Sequence, residues 1–224
     1  MPTDSPIDYV QWYYDKDHYR WDNFPDVTAF IDSFLAEVDG KSVLNPGCGP
    51  QFYDYMLKFR SAPDTYVGVD ISESTVSYLN SATDPRFVKA KDAALETGAD
   101  TQVLCADIFD LANDFAGGFD TVVATGFIGT FHNDQLDSLC RLFRNALKPG
   151  GKLVKLTWHG PHRTPEQTAE KLKYGYDSLE EHDPQKFLDQ IAATGFSVDR
   201  HELFECDPET YQWDLIQGCV FRKV

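Results

Sequence analysis

Two glycines and an aspartate in the first half of the chain have types and spacing that suit a nucleoside site. Gly47 and Gly49 lie in VLNPGCGPQ (43–51), where a short apolar run ends and a helical pattern begins. Glycines at such a turn let the backbone bend tightly and approach a ligand. Asp70 ends the next apolar run, 23 residues after Gly47. A carboxylate there is placed to accept hydrogen bonds from both hydroxyls of a ribose.

A second carboxylate, Asp107, follows a third apolar run in CADIFDL (105–111). It is placed to accept a hydrogen bond from an adenine amino group. No G-x-x-x-x-G-K-[ST] phosphate loop is present, and Phe52 stands where a dinucleotide-binding loop needs its third glycine. We expect the Phe52 side chain to obstruct a pyrophosphate. The pattern therefore favours an adenosine without phosphates.

The elements that must position these residues alternate along the chain after residue 41. Strands separated by helix-length segments require right-handed crossovers, so helices should cover both faces of a parallel sheet. The carboxyl ends of the strands then meet at one edge, where ligands bind in such folds. The predicted strands are 42–45, 65–70, 101–106, 120–125 and 152–158, and the predicted helices between them are 51–60, 73–82, 88–97 and 134–147.

Both ends of the chain extend this core. The apolar spacing over 27–38 predicts an amphipathic helix with Asp26 as its N-cap. A later helix is predicted over 184–194, with Asp183 as N-cap, and two successive strands, 196–205 and 211–223, follow it as an antiparallel hairpin. The predicted fold class is α/β: a Rossmann-like, mostly parallel sheet of seven strands with an antiparallel C-terminal hairpin and helices on both faces.

Composition narrows the possible partners. The chain has 224 residues, with 20 Lys and Arg against 36 Asp and Glu, a net charge of −16. This acidity disfavours nucleic acid and anionic membrane surfaces as partners. No linker or repeat is visible, so we expect one domain over 1–224, as a monomer or homodimer. No secretory signal or bilayer-spanning run is evident, which predicts a cytoplasmic protein with its five cysteines reduced.

The ordered motifs resemble those of the class I S-adenosylmethionine-dependent methyltransferases over nearly the whole chain. The resemblance implies S-adenosyl-L-methionine as cofactor, with Asp70 at the ribose and Asp107 beside the adenine. Two positions depart from the family pattern: Asn45 replaces the usual acid, and Gln51 stands where a third glycine is common. The motifs are VLNPGCGPQ, YVGVDIS (66–72), CADIFDL, FDTVVATGF (119–127) and LKPGGKLV (147–154).

From this resemblance we expect one set of residues to line the cofactor site. Asn45 keeps a hydrogen-bond acceptor but removes a negative charge near the ligand's ammonium and sulfonium groups. Cofactor binding should survive that change. The expected cofactor-binding residues are Asn45, Gly47, Cys48, Gly49, Asp70, Ile71, Asp107, Ile108 and Thr125.

Candidates for the catalytic side come from two aromatic-rich segments and one loop. Residues 1–26 are predicted to form an N-terminal lid, in which Tyr14 contacts the cofactor or faces its sulfonium. Residues 159–182 leave the fifth strand and should form the acceptor side, with Tyr176. His132, after the fourth strand, is a candidate general base. We expect no metal site, because His159 and His162 are separated by Gly160-Pro161 and lack a third ligand.

The function expected from these residues is methyl transfer from S-adenosylmethionine to a small-molecule acceptor by in-line displacement. Such transfer depends mainly on proximity and alignment. Two alternatives stay open. One is an enzyme that cyclises or cleaves the aminobutyrate chain and releases methylthioadenosine, as azetidine-2-carboxylate-forming enzymes do. The other is a non-catalytic adenosyl-binding protein.

Overall fold

A computed structural model describes residues 24–81, 85–159, 183–207 and 215–224. Its seven strands form one sheet, in the order β3-β2-β1-β4-β5-β7-β6. β7 pairs antiparallel with both β5 and β6, while the other neighbouring strands pair in parallel. The strands are β1 (Ser42–Pro46), β2 (Thr65–Asp70), β3 (Asp100–Cys105), β4 (Phe119–Thr125), β5 (Leu147–His159), β6 (Phe196–Glu205) and β7 (Leu215–Lys223).

This sheet confirms the predicted α/β class and the C-terminal hairpin. The strand order reverses between β1, which continues to β2 and β3, and β4, which continues to β5. Such a reversal opens a crevice at the carboxyl ends of the strands. In the hairpin, the later strand β7 is inserted between β5 and β6, so that β6 forms this edge of the sheet.

Helices cover both faces of the sheet, as predicted. One apolar core joins the sheet to α1, α2, α3 and α4, and the other joins it to α5 and α6. The helices are α1 (Pro25–Leu35), α2 (Phe52–Met56), α3 (Glu73–Ser81), α4 (Pro85–Leu95), α5 (Leu136–Ala146) and α6 (Pro184–Ala193), with a short 3₁₀ turn at Ile128–Thr130.

The helix ends test the predicted caps. Asp183 is the N-cap of α6, and its carboxylate accepts hydrogen bonds from the amides of Gln185 and Lys186, as expected. The prediction for α1 was wrong: Phe24 is the N-cap, and Asp26 lies inside the first turn after Pro25. Proline at the first helical position moves the start of the helix ahead of the aspartate.

The predicted helix at 51–60 is much shorter in the structure and covers only Phe52–Met56. The expected role of Phe52 was also wrong. Its ring is fully buried and stacks on Tyr66 at a centroid distance of 4.1 Å, so it belongs to the core below the glycine turn. Within the described part of the chain, no helix is long and apolar enough to cross a bilayer.

Candidate functional site

The glycine turn after β1 has the backbone conformation that the sequence predicted. Gly47 and Gly49 both have φ of +57°, a region that residues with a side chain rarely adopt. A Cβ on Gly47 would collide with the ring of Phe127, which follows β4. The turn is therefore built closely against the end of the neighbouring strand, and only glycine fits at position 47.

Asp70 is held at the end of β2 by this turn. Its Oδ2 accepts from the amide of Gly49 at 3.0 Å, and its Oδ1 accepts from the amide of Ser72 at 2.9 Å. Burial raises the pKa of Asp70, while the N–H groups of Ser72 and Gly49 act in the opposite direction. The adjacent Ile71 is 73% exposed, an apolar side chain left open beside the carboxylate.

Two residues expected at the cofactor, Asp107 and Ile108, follow β3 and differ in exposure. Asp107 is exposed, and its Oδ1 accepts from the amide of Phe109 at 2.9 Å, which leaves Oδ2 facing solvent or a ligand. Ile108, also expected at the cofactor, has its side chain buried in the core beneath. The backbone of Ile108 is then the part that can meet a ligand at this edge, because its side chain is buried.

Cys48, another of the residues expected at the cofactor, has its side chain in the core below the glycine turn. Its amide donates to the carbonyl of Val69 at 3.1 Å, and its thiol is buried against Gly68. Burial, followed by the nearby Asp70 carboxylate, raises the pKa of the Cys48 thiol well above its usual range. A nucleophilic role is disfavoured because the thiolate is the reactive form.

Asn45 and Thr125 are buried polar residues at the ends of β1 and β4. Asn45 Nδ2 donates to the Tyr66 hydroxyl at 2.8 Å. In the described part of the chain, Asn45 Oδ1 and Thr125 Oγ1 have no hydrogen-bond partner. A buried polar atom without a partner is costly, so a ligand group that satisfies it would bind more tightly. Both atoms fit the expectation of a bound polar ligand at this edge.

An aromatic row lines the edge next to the glycine turn. Phe127 packs edge-on to Phe131 at 4.8 Å between centroids, and Phe131 packs edge-on to Phe109 at 5.9 Å. Beyond this row, the ring of Trp158 lies against Gly126, whose φ is +68°. These rings give the carboxyl edge of the sheet, from β3 to β5, an apolar, aromatic border.

The catalytic candidates are only partly described. Tyr14 and Tyr176 lie outside the described residues, as do the predicted lid up to residue 23 and the acceptor-side segment from 160 to 182. His132 is half-buried directly after the aromatic row, and its amide donates to Gln135 Oε1 at 2.9 Å. The described residues contain no group of three or more side chains that could hold a metal ion.

Sequence reasoning missed a buried polar cluster at the end of β5. Lys155 is 1% exposed, and its ammonium donates to Gln217 Oε1 and lies 4.4 Å from the ring centroid of Phe187. His159 Nε2 is 3.2 Å from the same Gln217 oxygen. A lysine inside the apolar run KLVKLTW was the available signal, since buried lysines are rare and costly.

The sheet order, the glycine turn and Asp70 define a class I S-adenosylmethionine-dependent methyltransferase fold. The family model described as thiopurine S-methyltransferase (TPMT) matches residues 10–176. The chain therefore belongs to the thiopurine S-methyltransferase family.

Known proteins resemble the chain at different levels. It is 29% identical over 122 residues to a ubiquinone biosynthesis O-methyltransferase of Chromobacterium violaceum; this match covers 54% of the chain but only 46% of that relative. An S-adenosylmethionine-dependent methyltransferase from Mesorhizobium loti is 19% identical, with a TM-score of 0.61 over 91% of this chain and 100% of that one.

Two further solved structures share the fold. Magnesium protoporphyrin IX methyltransferase from Synechocystis PCC 6803, with bound SAH, has a TM-score of 0.58 at 16% identity, covering 88% of this chain and 82% of that one. The [4+2]-cyclase SpnF has a TM-score of 0.59 at 19% identity, covering 88% and 81%. The fold therefore accommodates more than one kind of chemistry.

Proposed function

We propose that the chain binds S-adenosylmethionine and transfers its methyl group to a small-molecule acceptor. The observation that carries this proposal is Asp70, a carboxylate at the end of β2 whose two oxygens are oriented by the amides of Gly49 and Ser72. Each oxygen keeps a further lone pair for a ribose hydroxyl. When bound, S-adenosylmethionine supplies a methyl group already activated by a sulfonium.

Each residue at this edge of the sheet contacts a different part of the proposed ligand. Asp70 holds the ribose, Asp107 accepts from the adenine amine, and the exposed Ile71 packs against the base. Gly47 and Gly49 bring the backbone close to the ligand, since neither carries a Cβ. Both Asn45 Oδ1 and Thr125 Oγ1 are buried without a partner in the described residues. Asn45 Oδ1 accepts from the amino-acid end of the ligand, and the Thr125 hydroxyl accepts from it or donates to it.

On the acceptor side, the chain positions groups and excludes water. Phe127, Phe131 and Trp158 provide apolar surface from β4 to β5, which suits an acceptor with an aromatic or otherwise apolar body. Tyr14 and Tyr176 are proposed to face the sulfonium from the two flanking segments. His132 is proposed as a group that takes the acceptor's proton where the acceptor arrives protonated.

A small-molecule acceptor agrees with the net charge of −16, which disfavours nucleic acid. The names of the matched family and of the curated relative mention thiopurines and ubiquinone biosynthesis. Both suggest ring compounds carrying a thiol or hydroxyl. We propose acceptors of that class for this chain, which would act as a monomer or homodimer in the cytoplasm.

The second candidate function is release of methylthioadenosine by attack of the ligand's own amine. Asn45 favours it, because an uncharged amide in place of an acid leaves the ligand amine less strongly held as an ammonium. The solved cyclase with the same fold supports the view that such chemistry is compatible with this architecture.

Calorimetry and one incubation test these proposals. We expect heat of binding for S-adenosylhomocysteine and none for NADH; the reverse would end the S-adenosylmethionine assignment. Pure protein is then incubated with S-adenosylmethionine alone, with 6-mercaptopurine and with catechol. S-adenosylhomocysteine formed only with an acceptor supports methyl transfer. Methylthioadenosine well above the protein-free control supports the second candidate, and binding without either product indicates a non-catalytic protein.

A further inference from the structure

Tyr66 on β2 is fully buried, and its hydroxyl bridges two other residues of the glycine turn region. The hydroxyl donates to the carbonyl of Phe52 at 3.1 Å and accepts from Asn45 Nδ2 at 2.8 Å. Burial raises the pKa of Tyr66 well above its ordinary value, so the hydroxyl keeps its single proton. A carbonyl can only accept, so that proton belongs to the bond with Phe52. Tyr66 therefore offers only a lone pair to position 45.

This lone pair decides which end of the Asn45 amide faces Tyr66. The oxygen and the nitrogen of an amide are nearly the same size, so the hydrogen-bond partners determine its orientation. Only the NH₂ group can donate to a lone pair. With Nδ2 held by Tyr66, Oδ1 lies at the other end of the amide, buried and without a hydrogen-bond partner among the described residues.

An ionised carboxylate at position 45 would not fit the same contact. It has no proton to give to Tyr66, so the hydroxyl would have to turn its own proton away from the carbonyl of Phe52. The amide of Asn45 keeps both hydrogen bonds of the hydroxyl and still presents an acceptor at its other end. Asn45 and Tyr66 are therefore matched to each other, and together they offer a neutral acceptor.

The sheet places this acceptor between two other polar side chains at its carboxyl edge. Asp70, Asn45 and Thr125 lie on β2, β1 and β4, which are neighbours in the sheet. Each stands two or four residues after a strand side chain of the core that α1 to α4 cover, so all three lie on that face. Two strand spacings, about 10 Å, separate Asp70 from Thr125. A ligand whose ribose lies at Asp70 can extend its amino-acid chain across Asn45 towards Thr125.

We propose that Tyr66 is the positioning residue that makes this site specific for adenosyl ligands with an α-amino group. Tyr66 acts through Asn45: it holds the amide so that Oδ1 accepts from the ligand's ammonium. This inference rests on the proposed function, because it assumes that S-adenosylmethionine binds at this edge. Without Tyr66, the amide is free to present its NH₂ group instead, which cannot accept from an ammonium.

Calorimetry with two adenosyl ligands separates this role from a purely structural one. S-adenosylhomocysteine carries the amino-acid chain, whereas 5′-methylthioadenosine has the same nucleoside and sulfur without it. Tyr66→Phe keeps the ring that stacks on Phe52. It should raise the Kd of S-adenosylhomocysteine about three- to tenfold and change that of methylthioadenosine by less than about twofold.

Asn45→Ala removes the acceptor itself and should show the same selectivity with a larger effect. The Kd of S-adenosylhomocysteine should rise about tenfold or more, because a hydrogen bond to a charged group is lost. In the Asn45→Ala background, Tyr66→Phe should have no further effect on this Kd, because the amide that Tyr66 positions is gone. Such a dependence of one substitution on the other identifies a residue that acts through its neighbour.

Tyr53→Phe is the matched control. Tyr53 is a buried tyrosine of the same core, packed edge-on to Phe52, and its hydroxyl bonds to Thr101. Its substitution removes a hydroxyl from this core without touching Asn45. It should leave both dissociation constants within about twofold of those of the wild type.

The outcomes separate this inference from the cofactor assignment. The inference is overturned if Tyr66→Phe weakens both ligands equally, weakens neither, or keeps its effect in Asn45→Ala. It is also overturned if the wild type binds methylthioadenosine as tightly as S-adenosylhomocysteine. All these results leave the adenosyl site standing, whereas a wild type that binds neither ligand removes the proposed function and this inference together.

A crystal structure of the wild type with S-adenosylhomocysteine decides the question if Tyr66→Phe does not fold. The ligand's amino nitrogen should lie within about 3.2 Å of Asn45 Oδ1, with Nδ2 still bonded to the Tyr66 hydroxyl. A ligand nitrogen placed elsewhere, or an Asn45 side chain turned away from Tyr66, overturns the inference.

Discussion

Asn45 Nδ2 donates a hydrogen bond to the hydroxyl of Tyr66 at 2.8 Å, and both residues are fully buried. The same hydroxyl donates to the carbonyl of Phe52 at 3.1 Å. The amide of Asn45 is thereby fixed by the core at one end, and its oxygen remains at the other end without a partner in the described chain. A residue that the motif assigns to the cofactor is therefore also part of the fold.

The Asn45–Tyr66 contact predicts coupled effects on stability. Tyr66→Phe leaves Nδ2 of Asn45 buried without an acceptor, so it should lower the free energy of unfolding by about 1–3 kcal/mol. Asn45→Ala and the double variant complete a double-mutant cycle by urea denaturation. We expect the double variant to be less destabilised than the sum of the single variants. Additive effects would mean that the two side chains do not interact in solution.

Removal of Asp70 should weaken cofactor binding more than removal of Asp107. Asp70 is held by two backbone amides and is proposed to make two hydrogen bonds to the ribose, whereas Asp107 is exposed and makes one to the adenine. At about 1.5–3 kcal/mol for a charged hydrogen bond, Asp70→Ala should raise the dissociation constant of S-adenosylhomocysteine tenfold or more. Asp70→Asn keeps the side-chain shape but can accept from only one of the two backbone amides, so it should weaken binding as well. Unchanged affinity in folded Asp70→Ala would place the ribose elsewhere.

Gly47 should tolerate a side chain less well than another glycine with a similar backbone. Gly47 and Gly117 have φ of +57° and +64°, but a Cβ at 47 meets Phe127, whereas one at 117 meets nothing within 4 Å. Gly117→Ala should lower the free energy of unfolding only by the cost of a side chain at a positive φ, about 1–2 kcal/mol. Gly47→Ala should lower the free energy of unfolding by more than this, as measured by urea denaturation, because Phe127 must move. It should also weaken S-adenosylhomocysteine binding for the same reason. Equal losses for the two variants would argue against close packing of the turn.

The buried Lys155 should make stability depend on alkaline pH. Its pKa falls from 10.5 to about 8 on folding, so the unfolded chain binds one more proton between those values and stability rises with pH through that window. Below pH 8, the free-energy cost of burying the charged lysine is at its full value of about 3 kcal/mol. Lys155→Met should therefore raise the free energy of unfolding by up to that amount at pH 7, and the increase should become smaller towards pH 10.5.

Lys89→Met, at an exposed position on α4, controls for the loss of a lysine as such. Urea denaturation of both variants at pH 7 and pH 10 gives the comparison. A Lys155→Met gain that stays constant across this range would show that Lys155 keeps an ordinary pKa in the folded protein.

The sequence was sufficient for the elements whose signals are local. Strand β2 and strand β6 have the predicted bounds, since apolar runs bounded by turn residues mark such strands. The N-cap at Asp183 and the glycine turn at 47–49 were also predicted, because capping and positive φ depend on a few adjacent residues. Asp26 shows the limit of local reasoning. Pro25 and Asp26 are both residue types that mark a helix start, and the position of Pro25 determined where α1 begins.

The sequence by itself also determined the family and the candidate ribose carboxylate, because both follow from motifs in a fixed order along the chain. Only the tertiary structure decided which side chains of those motifs face the site. It turned Phe52, Cys48 and Ile108 into the core and brought Phe127 against Gly47. It also joined Lys155, His159 and His201 through Gln217, residues that lie on three different strands. The physical reason is that side-chain direction and contacts between strands depend on sheet register and packing between distant segments, which spacing along one chain does not specify.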